Sequence, residues 1–124
     1  MTSLAKKFQL KDGQRLQLVN QPAGFENYLA SEDVPVTEKS DALLIFTNSL
    51  SEVSEVVPPA FQTVPEDALV WVAYPKSSSG IRTDINRDKL WEALKPTGWQ
   101  PVRQIALDTV WSALRFRPAE KVGR

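Results

Sequence analysis

The chain has 124 residues, close to the common size of one domain, and its 42% hydrophobic and 24% charged residues match an ordinary globular protein. Fifteen Lys and Arg balance fifteen Asp and Glu, so no net field draws the molecule to nucleic acid or an anionic membrane. Neither Cys nor His is present, which excludes disulfides, thiolate and imidazole metal sites, catalytic thiols and His-based triads, and leaves carboxylates, Lys, Tyr and cofactors for chemistry.

In chain order, the first segment, "MTSLAKKFQLKDG", carries lysines and no apolar core long enough for a signal peptide. No uninterrupted apolar stretch is long enough to span a bilayer, and the expectation is a cytoplasmic protein. "RLQLVN" (15–20) alternates Leu16 and Leu18 with Arg15 and Gln17, which predicts a half-exposed edge strand. In 21–40, Phe25, Tyr28 and Leu29 support a short helix and the rest reads as loop. "ALLIFT" (42–47) and "ALVWVAYP" (68–75) are nearly continuous in apolar residues, as strands covered on both faces are.

Between those two runs, Val53, Val56, Val57, Ala60, Phe61 and Val64 recur three or four apart and predict a helix, with Ser49 and Glu52 as a capping box. Pro58 and Pro59 interrupt it, which predicts a kink or two short helices sharing one apolar face. After 75–83, Asp84 or Asn86 can cap a helix that buries Ile85, Leu90, Trp91 and Leu94, and "KPTG" closes it. "WQPVRQIALDTVWSALRFRP" reads as two strands joined around Asp108 and Thr109, and residues 119–124 as a mobile tail. One α/β domain over 1–118 follows: a three-layer sandwich with about five strands, the first three parallel and the last two an antiparallel hairpin.

With that order in place, "SDALLIFTNSLSEVSEVV", "VPEDALVWVAYPK" and the closing helix and hairpin resemble the later half of a Rossmann-like S-adenosylmethionine-dependent methyltransferase. "LAKKFQLKDGQRLQLVN" is similar to its lead-in helix and first strand. More narrowly, "LAKKFQLKDG", "AGFE", "WVAYPKSSSGIRTD" and "TVWSALRF", in that order, resemble a family of small bacterial proteins of unknown function. That resemblance implies a fold and brings no catalytic residue with it.

The cofactor pattern is broken. A glycine-rich turn and an acidic strand end hold the dinucleotide or its relatives in such folds. Here the turn is "NQPAGFE", with the single glycine Gly24 and with Pro22 lacking a backbone donor. No apolar run lies between 21 and 40, so the ribose-side strands and the reversal of strand order are expected to be missing, with the first strand at an edge. S-adenosylmethionine is accordingly disfavoured, and no cofactor is expected.

Loops after parallel strands converge on one side of the sheet. This puts Asn20, Gly24, Lys76, Ser77, Ser78 and Arg82 forward as contacts for a phosphate or carboxylate. The order in "YPKSSSGIRTD" is not that of a P-loop, since Lys76 precedes the serines. A solvated Ser/Gly connector is the competing reading of the same residues, and Asp84 reads as a helix cap. Trp111, Arg115 and Arg117 share one face at alternate positions and could stack on nucleic acid, against the simpler reading of Arg stems covering a core aromatic. Nucleic acid is disfavoured by the neutral charge, and no metal set is visible. The expectation is a non-catalytic or vestigial methyltransferase-like scaffold that binds a protein partner or a small anion. The alternative is an enzyme or binding protein for a phosphorylated or nucleotide-like ligand at 76–84.

Overall fold

The computed structural model describes residues 7–8, 15–21, 23–32, 34, 36–37, 42–63, 69–76, 84–108 and 110–118. The strands are β1 (Leu16–Val19), β2 (Val36–Thr37), β3 (Ala42–Phe46), β4 (Leu69–Pro75), β5 (Trp99–Ala106) and β6 (Trp111–Pro118). The helices are α1 (Phe25–Ser31), α2 (Leu50–Thr63) and α3 (Arg87–Leu94), the last extended by a 3-10 turn over Lys95–Thr97. The expected lead-in helix falls largely outside the described residues, as do Thr109 and the tail at 119–124.

All six strands form one mixed sheet in the order β2-β1-β3-β4-β6-β5. The first four are parallel to their neighbours, β6 runs antiparallel to β4, and β5 closes the hairpin on the far side of β6. The α/β sandwich and its hairpin stand, with six strands in place of about five and four parallel strands in place of three. The difference is β2, where Leu16 and Gln17 pair with Val36 and Thr37. Two residues are too few to show a period of two, so the segment reads as loop in sequence.

Strand β1 consequently lies between β2 and β3 and is not an edge, which corrects the expectation. A strand order that runs β2-β1-β3 also reverses at β1, so the reversal expected to be lost is present.

Strands β3 and β4 are buried along their whole length because both faces are covered. Ala42, Leu44, Phe46, Trp71 and Ala73 pack with Phe25 and Leu29 of α1 and with Phe8. Leu43, Ile45, Val70, Val72 and Tyr74 face the opposite layer, against Val53, Val57 and Phe61 of α2 and Leu90 and Leu94 of α3. Phe8 meets Trp71 edge-on at 5.6 Å and its carbonyl accepts the indole N–H at 3.2 Å. The buried hydroxyl of Thr47 donates to the Ala73 carbonyl at 2.9 Å, so its burial costs no hydrogen bond.

Helix α2 runs unbroken through Pro58 and Pro59, against the expected division. The two missing N–H groups leave the carbonyls of Ser54 and Glu55 without intrahelical partners, and both residues are exposed to water. Val53, Val57 and Phe61, four apart and buried, hold the helix to the sheet across that gap. Trp91 is a second correction: it is 40% exposed rather than buried with Leu90 and Leu94, and the Lys95 ammonium sits 5.0 Å from its ring centre. The helix ends as expected, with Gly98 at φ 84° after the 3-10 turn, a left-handed cap that suits glycine.

Candidate functional site

The carboxyl ends of β1, β3 and β4 lie side by side, as parallel pairing requires. At the end of β1, Asn20 takes a left-handed backbone at φ 59°, a conformation that Asn tolerates better than most residues. Its amide nitrogen donates to the Phe46 carbonyl at 3.0 Å and to Glu52 Oε1 at 2.7 Å. Glu52 Oε1 also accepts the backbone N–H of Asn48 at 3.1 Å, and the Ser49 hydroxyl oxygen accepts the N–H of Glu52 at 3.3 Å. The capping box is therefore half formed: Ser49 caps as expected, while the Glu52 carboxylate reaches one residue further back and ties the helix start to β1.

Asp84 does cap a helix, but a different one. Its carboxylate accepts the N–H of Leu50, 34 residues earlier, at 2.8 Å. The cap of α3 is Asn86, whose side-chain oxygen accepts the N–H of Lys89 at 2.8 Å. One loop thus starts two helices.

Gly24 stands at φ 81° immediately before α1, and a Cβ built there would meet nothing within 4 Å. The glycine serves the backbone angle and not a tight approach. Lys76, at the end of β4, donates from its ammonium to the Asp108 carbonyl and from its backbone N–H to the Val110 carbonyl, binding the strand end to the hairpin turn. The Asp108 carboxylate accepts the N–H groups of Val110 and Trp111 at 2.8 and 2.7 Å and shapes that turn. Asn20 and Lys76 follow strands separated by β3, two strand spacings or about 10 Å across the sheet, and Lys76 lies further along than the β4 residue level with Asn20, Ala73, so the two are further apart than that. Ser77, Ser78 and Arg82 lie outside the described residues.

Two clefts open at these strand ends. One, of about 400 Å³, lies beside the strand-order reversal and is lined by Leu18, Gln21, Glu26, Val36 and Thr37. The other, of about 320 Å³, is bounded by the end of β4, the start of α3 and the hairpin; Tyr74, Lys76, Arg87, Gln104 and Ser112 line it. Within it, Gln104 donates from its side-chain amide to the Tyr74 hydroxyl at 3.1 Å. Burial pushes the Tyr74 hydroxyl above its ordinary 10.0, against a smaller downward pull from the Arg87 guanidinium. Sequence reasoning reached Lys76 here and missed the other four. Among the described residues, no group of three or more Asp or Glu gathers as a metal site.

The tryptophans are mostly structural. Trp71 is fully buried, Trp111 meets Phe46 edge-on at 5.1 Å, and Trp99 stacks on Phe61 with ring centres 4.2 Å apart. Trp111 is therefore a core residue and not an exposed platform for a base. Among the described residues, no helix is long and apolar enough to cross a membrane.

The strand order, the reversal at β1 and the C-terminal hairpin define a reduced Rossmann-like, methyltransferase-like fold. It is similar to a protein of the NADB-Rossmann superfamily from Streptococcus agalactiae, with a TM-score of 0.52 and 11% identity over 94% of this chain and 69% of that one. It is also similar to the m1A22 tRNA methyltransferase TrmK of B. subtilis, with a TM-score of 0.53 and 7% identity over 92% of this chain and 66% of that one. At those identities the likeness is one of fold alone, and this chain spans about two thirds of the length of each. No family model matches the sequence, and no curated protein matches it either.

Proposed function

We propose that this protein is a non-catalytic, methyltransferase-like scaffold that binds a small anion or a protein partner through its strand-end loops, without S-adenosylmethionine. One observation carries the reading. The polar groups at the start of the cofactor turn are paired with one another: Asn20 with Phe46 and Glu52, and Glu52 with Asn48. A cofactor cradle needs open polar groups at that turn, and here the side chains at its start are bonded within the protein instead.

Calorimetric titration with S-adenosylmethionine and with its demethylated product tests the reading. The expected result is no saturable binding tighter than about 1 mM, equivalent to about 4 kcal/mol. Transfer of a labelled methyl group by the pure protein would overturn it.

The cleft of about 400 Å³ at β1 and β2 favours a second reading, a nucleotide-like ligand seated at the strand-order reversal. A thermal-shift screen separates the two, because a nucleotide at about 100 times its dissociation constant adds roughly 2.7 kcal/mol to stability.

A further inference from the structure

Tyr74 and Ser112 are register partners on neighbouring antiparallel strands, so their side chains share one face of the sheet. Gln104 lies on that same face one strand further on, opposite Leu114. Above them stand Lys76, where β4 ends, and Arg87, the first residue of α3. Four elements therefore deliver polar side chains to one cleft.

Ser112 is the telling residue. It is 7% exposed and lines the cleft, so its hydroxyl is held in place by the sheet and is available to a group that enters. Its surroundings say what that would be. Lys76 uses one of its three N–H groups on the Asp108 carbonyl and keeps two. The Tyr74 hydroxyl accepts from Gln104 and retains its own proton to donate. Arg87 is exposed at the rim, no carboxylate is among the lining residues, and the positive end of α3 begins beside it. The cleft is rich in donors, carries two cations and faces an apolar floor of Pro75 and Ile85.

We propose that this cleft binds the phosphate group of a small phosphorylated molecule. The inference rests on the reading of the protein as a small-anion binder and names its site. A phosphate presents oxygens in several directions and so can meet donors arriving from β4, α3 and β6 together, whereas the two oxygens of a carboxylate lie in one plane. A volume near 320 Å³ is at the small end for ligand sites and suits a compact molecule. The raised Tyr74 hydroxyl remains a donor at neutral pH.

The test is an amide-resolved NMR titration of the whole chain with inorganic phosphate and with glycerol phosphate, at constant ionic strength and with chloride as control. Saturable shifts are expected at Tyr74, Gln104 and Ser112. Arg87→Gln, at an exposed position, should fold normally and weaken binding about tenfold, the size of one charge-assisted hydrogen bond. Ser112→Ala should weaken it several-fold. Shifts that chloride reproduces, or equal affinity in wild type and Arg87→Gln, overturn the proposal. Its failure is separable from that of the scaffold reading, because S-adenosylmethionine binding is read in its own titration and does not depend on Arg87.

Discussion

Asn20 has two roles that a pair of substitutions separates. Its side chain ties β1 to β3 and α2, and its backbone occupies a region that costs other residues about 1–2 kcal/mol. Asn20→Gly removes the first and spares the second, whereas Asn20→Ala removes one and incurs the other. With each lost hydrogen bond worth roughly 1 kcal/mol, the alanine variant should be less stable than the glycine variant by about 1 kcal/mol or more. Urea unfolding reads the difference, and equal midpoints would show that the left-handed backbone carries no strain. Tyr74 makes a pH prediction. Its hydroxyl is raised in the folded protein, so the neutral form is favoured there; that stability is complete below the unfolded value of 10.0 and is lost as pH rises through the folded value. Wild-type stability should therefore decline in alkali. Tyr74→Phe loses the Gln104 bond at neutral pH but should decline less steeply between about pH 9 and about pH 11. Parallel curves in urea midpoint against pH would refute the assignment.

At the scale of elements, α2 shows tertiary burial overriding local preference. Two prolines inside a helix disfavour it on propensity grounds, yet Val53, Val57 and Phe61 keep the segment helical on the sheet. Pro59 is exposed, so little of its ring is buried on the sheet. Pro59→Ala should stabilise the protein by about 1–2 kcal/mol, the helix penalty of about 3 less roughly 1 for the freer unfolded chain. A lower melting temperature in this variant would mean that the proline packs against something that matters. The apolar spacing of α2 is readable in sequence because it is sustained over several turns. The continuity is not, because no local rule weighs a proline against burial on a sheet. The short β2 fails for the opposite reason: Val36 and Thr37 form a strand only because β1 is there to pair with them.

For the whole molecule, the sheet has two edges and manages both. On one side β2 is two residues long and offers little template for another chain. On the other, β5 carries Pro101, a register shift between Pro101 and Arg103, and the exposed Arg103. Replacing Pro101 and Arg103 together by threonine restores an edge that can pair. Sedimentation velocity should then find larger species than in the wild type at equal concentration, and identical profiles would remove the edge from the account.

What the sequence determines by itself is the longer elements and their layering. Continuous apolar runs at β3 and β4 and the apolar faces of α2 and α3 state which surfaces must be buried, and burial is a property that each segment carries locally. Composition alone also removes most active-site chemistries. Only the tertiary structure decided the strand order, which puts β1 inside the sheet and restores its reversal, and only it brought Asp84 to Leu50 and Tyr74 to Ser112. Those meetings depend on register between strands distant in the chain, and register follows from how the whole sheet closes, not from any one segment.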